Sequence, residues 1–470
     1  MSLLYIYGKN EEKSVRSLDR IYSYALKSGK ITGKKITNLN DNIRFNELSL
    51  NIRDEYSEYI YSLNKCFLDN RLIYNKGLSL FFLSDLSNKR TEVYDTYQSI
   101  CHIKIIKEKI DEIGKIKRIV IIGCTQRFVH SITSILSDYD VTVEEQENRK
   151  RSLPIYFKNQ LLFVWKTFLK ILIIKLFNHP NIIKSKVNLF LCRFPLHFDK
   201  EDKDEKYGAL ATPDDHYLIS IITDGLHQNL NLIQFISALK KLSSLKMKYI
   251  FLDQHLKMKD VLTFLQNIVL YYSKYQKLNN IKYSFHSIDI SKFLQIELDT
   301  SFQRIPRLLL YETAIKSVLS NYNISKFYYY LHEFCYGRYF TYMLKTYGEE
   351  IKTIGFQHGP NSRRHIMFYL AKNEADDGSG DYLKHLPIPD EILAENENSK
   401  IVYEEGGYIN VKAMEKIYRL EYLNNIDRQT VVENTVLVAA ALHDGEQLLN
   451  HLIPEMLSNS HVTYYYKFHP

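Results

Sequence analysis

A chain of 470 residues has room for two or three domains with sizeable cores. Its 45% hydrophobic and 25% charged residues are the balance of a soluble globular protein, and the excess of Tyr (37) over Trp (1) is read as coding bias, not as a binding signature. The net charge of +8 suits an anionic partner such as a nucleotide, a phosphorylated lipid or a membrane surface. It is too diffuse for a nucleic-acid binder, and no helix-turn-helix, zinc-finger or RNP pattern is present.

The chain opens with Met1-Ser2-Leu3-Leu4-Tyr5-Ile6-Tyr7-Gly8, which reads as a strand ending in a glycine turn and lacks the form of a signal peptide. Cys66, Cys101, Cys124, Cys192 and Cys335 are scattered without a Cys-x-x-Cys pair. Neither a disulfide framework nor a zinc site is expected, which fits a cytoplasmic protein. Residues 41–115 are polar and helical, closing with an amphipathic tract over 100–113 that Gly114 stops. The apolar run 118–122, the turn Gly123-Cys124-Thr125, a helix over 128–136 and a strand over 141–143 make a first βαβ half-unit.

Residues 161–177 are the most apolar stretch, but Lys166, Lys170 and Lys175 interrupt the roughly 20 residues that a membrane span needs. Two readings stand. A largely buried core helix is placed slightly ahead of an interfacial helix, resting through 158–177 on the inner membrane near a lipid-linked acceptor.

From 187 onward strands and helices alternate, which predicts a parallel sheet covered on both faces. Strands are expected over 187–191, 217–222, 249–252, 283–286, 326–331 and 351–356. Helices are expected over 232–242, 261–272, 308–319 and 337–347. The polar loop Asp376-Asp377-Gly378-Ser379-Gly380-Asp381, followed by Pro387 and Pro389, marks a domain boundary. Strands over 401–403, 435–441 and 462–468, with a helix over 445–457, complete the pattern. The domains expected are a mostly helical part over 1–115, an α/β domain over 116–375, a linker over 376–390 and an α/β domain over 391–470. The last has room for about half of a doubly wound domain. The chain therefore reads as a fragment, which weakens the expectation that it is active as given.

Ligands of open parallel sheets bind beyond the carboxyl ends of the strands, so polar residues that follow strands are the candidates. In Gly355-Phe356-Gln357-His358-Gly359-Pro360, the strand delivers Gln357 and His358 to that edge, and Gly359 permits close approach. The His358 imidazole can act as a base or as a donor to a phosphate. Lys467-Phe468-His469-Pro470 offers a point charge and a donor for a leaving phosphate, with Pro470 fixing the turn. Glu333, after the strand ending at 331, can serve as general base or simply as a solvated helix cap. Thr223-Asp224-Gly225 has the same logic with less support. Asp138-Tyr139-Asp140 resembles a metal-binding Asp-x-Asp but precedes its strand, on the wrong edge of a sheet. Asp376 to Asp381 lacks the spacing of a calcium loop. No metal site is expected.

These motifs, in this order, resemble a group of bacterial surface-carbohydrate transferases. The group includes Kdo and sialic-acid transferases of capsule and lipopolysaccharide synthesis and, more distantly, teichoic-acid glycerophosphate polymerases. The resemblance runs from Leu78 to Pro470. It includes Leu78-Ser79-Leu80-Phe81-Phe82-Leu83, Cys192-Arg193-Phe194-Pro195, Tyr207-Gly208-Ala209-Leu210, Glu333, Gly355-Phe356-Gln357-His358-Gly359, Leu386-Pro387-Ile388-Pro389-Asp390 and Lys467-Phe468-His469-Pro470.

It implies an α/β, GT-B-like fold of two Rossmann-type domains with parallel sheets, the C-terminal one incomplete. It further implies a metal-independent glycosyltransferase with a CMP-linked acidic sugar as co-substrate and no other cofactor. The acceptor would be a surface polysaccharide or a lipid-linked glycan. Gln357, Gly359, Lys467, His469 and Pro470 would hold the donor phosphate, with His358 and Glu333 catalytic. Glu333-Phe334-Cys335-Tyr336 departs from relatives that carry a Trp after the acidic residue. A CDP-polyol phosphotransferase and an inactive carbohydrate-binding scaffold are the alternatives.

Overall fold

The computed structural model describes the chain except for residues 1, 9–19, 27–36, 40–42, 92, 145–152, 178–184, 194–203, 205, 213, 221–230, 245–247, 331, 358, 377, 419, 421–433, 440–444, 460 and 468–470. Ser2–Tyr7 is the central strand of a first parallel sheet, pairing with Arg20–Ala25 on one side and Ile116–Ile122 on the other. Thr37–Asn38 and Val141–Glu144 flank these, giving five strands that wind outward in both directions from the first. The doubly wound order puts a switch point between Ser2–Tyr7 and Ile116–Ile122. Gly8 sits there because a Cβ would stand 2.5 Å from the Gly123 carbonyl oxygen. Helices Ile43–Asn51, Arg53–Ser62, Asn64–Asp69 and Thr96–Ile113 lie between the third and fourth strands in sequence.

The second sheet has seven strands, in the spatial order Lys248–Phe251, His216–Ser220, Val187–Arg193, Ile324–Tyr330, Lys352–Phe356, Glu391–Ala394 and Val411–Ala413. Every pairing between them is parallel. The chain winds one way from Val187–Arg193 and then returns to its other side, so a second switch point lies between Val187–Arg193 and Ile324–Tyr330. All five residues of His216–Ser220 are buried, as helices on both faces require. One hydrophobic core runs from Ile119 and Ile121 through Phe81 and Phe302 to Leu189 and Ile392, joining the two sheets.

The α/β, two-sheet expectation therefore holds, and the expected strand and helix periodicities match the structure over most of the chain. The expected boundaries do not hold. The part over 1–115 contributes three strands to the first sheet and is not simply a helical preface. The segment 376–390, expected as a linker, connects neighbouring strands of one sheet, with Ile354 paired to Glu391 and Phe356 to Leu393. The expected domain over 116–375 is thereby split between two sheets, and most of 391–413 belongs to the second. Among the described residues, only Thr435–Ala439 and Thr463–Lys467 form a separate parallel pair, connected by helix Gly445–Ser458.

The expected strand over 401–403 is instead part of helix Glu397–Glu405, capped where Asn396 accepts from the Ser399 backbone N–H. Three apolar residues could not reveal a helix whose buried face is only Ser399 and Tyr403. The expected strand over 283–286 is a two-residue antiparallel strand, Ser284–Phe285, paired with Ile288–Asp289.

Helix Leu153–Phe177 connects the two sheets in sequence. The core-helix reading is only half right. Gln160, Thr167, Ile171 and Ile174 are buried, whereas Leu161, Leu162, Trp165, Leu172 and Leu176 are exposed. Among the described residues, no helix is long and apolar enough to cross a membrane.

Candidate functional site

Three strands of the second sheet end side by side at its carboxyl edge: Ile324–Tyr330, Lys352–Phe356 and Glu391–Ala394. Chain turns after them bring residues 332–334, 357, 359–361 and 395–396 into one neighbourhood. Helices Cys335–Tyr347 and Glu397–Glu405 start there, so their positive N-terminal ends lie at the same edge.

Gln357 is 2% exposed and its amide is fully used. Its Nε2 donates to the Gly359 carbonyl at 2.7 Å and to Ser399 Oγ at 3.3 Å, while its Oε1 accepts from the Glu395 backbone N–H at 3.0 Å. Asn361 Nδ2 adds a bond to the Ser399 carbonyl at 2.9 Å. Gln357 thus fastens its own turn to the start of helix Glu397–Glu405 instead of presenting a free amide to a ligand. A Cβ added at Gly359 would meet no described atom within 4 Å, so the turn leaves open space at that point.

Glu333 is 3% exposed, and its Oε1 accepts from the Tyr403 hydroxyl, 70 residues away, while Oε2 has no partner. The solvated-cap reading is therefore incorrect. His332 lies beside it, with Nε2 at 3.4 Å from Glu333 Oε1 and the ring stacked on Tyr403 at 5.8 Å. Burial pushes the His332 imidazole below its ordinary value, and the Glu333 carboxylate only partly opposes this. Gly355 on the next strand makes room for the ring, since a Cβ there would stand 2.8 Å from His332 Nδ1 and 2.9 Å from Pro389.

Sequence reasoning missed a buried charge layer under this edge. Arg338, 0% exposed in the first turns of helix Cys335–Tyr347, donates to Ser87 Oγ at 2.6 Å and to the Ser87 and Phe82 carbonyls. Lys89 Nζ meets Glu374 Oε2 at 3.0 Å. Arg304 forms a two-pronged pair with Asp85, both bonds 2.8 Å, and its Nη1 also lies 3.0 Å from Cys335 Sγ. Residues 78–89 are all buried, although they belong to the N-terminal third of the chain. No local pattern announces these pairs, because their partners are separated by 219 and 285 residues.

His358, His469, Pro470 and Thr223-Asp224-Gly225 lie outside the described residues. Lys467 is exposed at the end of Thr463–Lys467, which among the described residues pairs only with Thr435–Ala439. No sheet pairing joins it to Gln357. Asp138 and Asp140 precede Val141–Glu144, on the amino edge of the first sheet as expected. In the 376–381 loop, Asp376 Oδ1 accepts from the Gly378 and Gly380 backbone N–H groups, so the carboxylate organises the turn. A small apolar pocket lined by Ile174, Ile236, Leu239, Tyr249 and Phe251 lies at the far edge strand, Lys248–Phe251, away from these residues.

No family model matches the chain, and no curated protein is significantly similar to it. Among solved structures, UGT2 of Phytolacca americana, complexed with UDP-2-fluoro-glucose and pterostilbene, is similar at 10% identity and a TM-score of 0.28, over 61% of this chain and 73% of that one.

Proposed function

We propose that the chain is a bacterial cytoplasmic glycosyltransferase that moves a CMP-activated acidic sugar, of the Kdo or sialic-acid kind, onto a surface polysaccharide or lipid-linked glycan. The observation that carries this reading is the placement of Gln357 and Gly359, of the sequence motif Gly-x-Gln-His-Gly, at the carboxyl edge of a doubly wound parallel sheet. There Gln357 anchors the loop and Gly359 faces open space. Ligands of such sheets bind at this edge, and the N-terminus of helix Glu397–Glu405 adds dipole charge suited to a phosphate.

In this reading His358 meets the leaving phosphate from one side. Lys467, His469 and Pro470 meet it from the other, and Gly359 allows the donor to approach. A monophosphate leaving group needs only such cationic and N–H donors for its developing charge. Glu333 and His332, buried beneath the edge, hold the shape of the strand ends. If Glu333 is the general base, its unpartnered and buried Oε2 must open to the acceptor hydroxyl.

The test is a donor panel of CMP-Kdo, CMP-sialic acid and CDP-glycerol, with release of the nucleotide and transfer to a glycan acceptor measured. Release of CMP from an acidic sugar is expected, and His358→Ala should lower kcat about 10²- to 10⁴-fold. Turnover of CDP-glycerol alone would favour a polyol phosphotransferase. Sugar binding without turnover would favour a scaffold, a reading that the buried and satisfied Gln357 also suits.

A further inference from the structure

Helix Leu153–Phe177 has no acidic residue and four lysines. At 100° per residue, Leu161, Leu162, Trp165, Leu172 and Leu176 fall within about 100° of one another. They are 59%, 45%, 61%, 43% and 77% exposed. The opposite face holds the helix to the protein. There Tyr156 donates to the Phe302 carbonyl at 3.1 Å, Gln160 donates to the Gln303 carbonyl at 2.9 Å, and Phe163 packs on Phe264. A helix that is apolar all round is normally covered on every side. This one is anchored on one face and, among the described residues, leaves a five-residue apolar stripe uncovered on the other.

The charge around that stripe is one-sided. From Arg149 to Lys186 the sequence has nine Lys and Arg residues and no Asp or Glu. The whole chain has 62 basic and 54 acidic residues, so removing these nine leaves the remainder one charge short of neutral. The excess of this segment is thus as large as the net charge of the whole chain, and the rest sums to near neutrality. Lys166 is exposed at the border of the apolar stripe, and Lys158 is exposed in line with it at the helix's N-terminal end. The single Trp of the chain, Trp165, is in the stripe itself.

We propose that this face docks the protein onto an anionic lipid bilayer, with the helix lying in the interface plane. An apolar stripe fringed by lysines is what such a surface recognises. The leucines enter the acyl boundary, the lysine stems extend along it with their ammonium groups at the phosphates, and a Trp ring suits the headgroup level. Self-pairing through the same face would set its cations against their own copies, and the cores of protein interfaces are depleted of Lys. Four lysines within the helix oppose a spanning orientation. The inference does not rest on the donor chemistry proposed above, and it places the enzyme at the membrane whatever its reaction.

The experiment uses the full chain with vesicles of phosphatidylcholine, alone or mixed with phosphatidylglycerol, in a sedimentation assay. Fluorescence of Trp165 is followed in parallel. Binding to the anionic vesicles, weakened by salt, is expected, with a blue shift of Trp165 emission and quenching by brominated acyl chains. Lys158→Gln/Lys166→Gln should weaken binding by about fivefold per charge. Leu161→Ser/Leu172→Ser/Leu176→Ser should abolish the blue shift while circular dichroism and thermal unfolding stay as in the parent chain. Two outcomes overturn the proposal. One is a parent chain that stays in the supernatant with unshifted emission at low salt. The other is a blue shift that appears without lipid and grows with protein concentration, which would assign the face to a second copy of the chain.

Discussion

Lys89 and Glu374, 285 residues apart, meet as a fully buried ion pair with Nζ and Oε2 separated by 3.0 Å. The same Glu374 oxygen accepts from the Ala371 backbone N–H at 2.8 Å, so the pair ties residues 84–89 to the chain just before the second sheet's sixth strand. Burial pulls the Lys89 ammonium below its ordinary value, and the Glu374 carboxylate partly holds it up. Removing one partner leaves the other charged and alone. Lys89→Met is expected to cost about 3–5 kcal/mol, and Lys89→Met/Glu374→Leu to recover much of that. Urea unfolding of the parent, both single variants and the double variant measures the coupling. A double variant whose loss equals the sum of the two single losses would show that the pair does not act as a unit.

The Tyr403 hydroxyl is the one partner of the Glu333 carboxylate that turns toward it from helix Glu397–Glu405. Tyr403→Phe keeps the ring on His332 and removes only the donor. A loss of about 1–3 kcal/mol is expected, the cost of an unsatisfied buried acceptor. If Glu333 only holds the strand ends, Tyr403→Phe and Glu333→Gln should lower stability and leave the pH profile of turnover unchanged. A profile that shifts in Glu333→Gln would make Glu333 a proton carrier.

Gly355 and Gly359 stand four residues apart and should answer Ala differently. At Gly355 the new methyl meets the His332 ring and Pro389 at 2.8–2.9 Å, and both of these neighbours are buried and must shift. A cost of about 1–3 kcal/mol is expected for such overpacking. At Gly359 no described atom lies within 4 Å, so thermal unfolding should be unchanged. Any loss in Gly359→Ala should appear in KM for the donor, because the methyl projects into the space that a ligand would fill.

Glu297 is buried beside Asp85 and Asp95, with the Thr96 hydroxyl on its carboxylate, and burial pushes its carboxyl up to about 8. The folded state therefore keeps a proton that the unfolded chain loses near the ordinary carboxyl value. The stability that this proton supports is full below about 4.5 and declines as pH rises toward about 8. The decline is about 1.4 kcal/mol for each pH unit in that window. Glu297→Gln should remove this slope. Comparing urea midpoints of the two proteins across the window cancels the other titrating groups, and parallel curves would show that Glu297 is ionised throughout.

How much was legible in advance follows from the range of each interaction. Runs such as 118–122 and 187–191, and the stop at Gly114, are local patterns of burial and backbone freedom, so the sequence determined the alternation of strands and helices and hence the α/β class. It also placed Gln357 after a strand, because an apolar run followed by Gly-x-Gln-His-Gly needs no partner to be recognised. Tertiary structure decided the rest. Whether 376–390 is a linker depends on the pairing of Ile354 with Glu391, which lies across the sheet and not along the chain. Whether Gln357 is free or committed depends on Glu395 and Ser399 arriving from another strand end. From sequence Glu333 reads equally as a general base or a solvated cap, and only the Tyr403 hydroxyl arriving from another helix removes the second reading. The composition of helix Leu153–Phe177 was plain in the sequence, but which of its leucines are covered was settled by the helices that pack on one side of it and not on the other. Periodicity is a property of neighbours in the chain, and exposure is a property of neighbours in space.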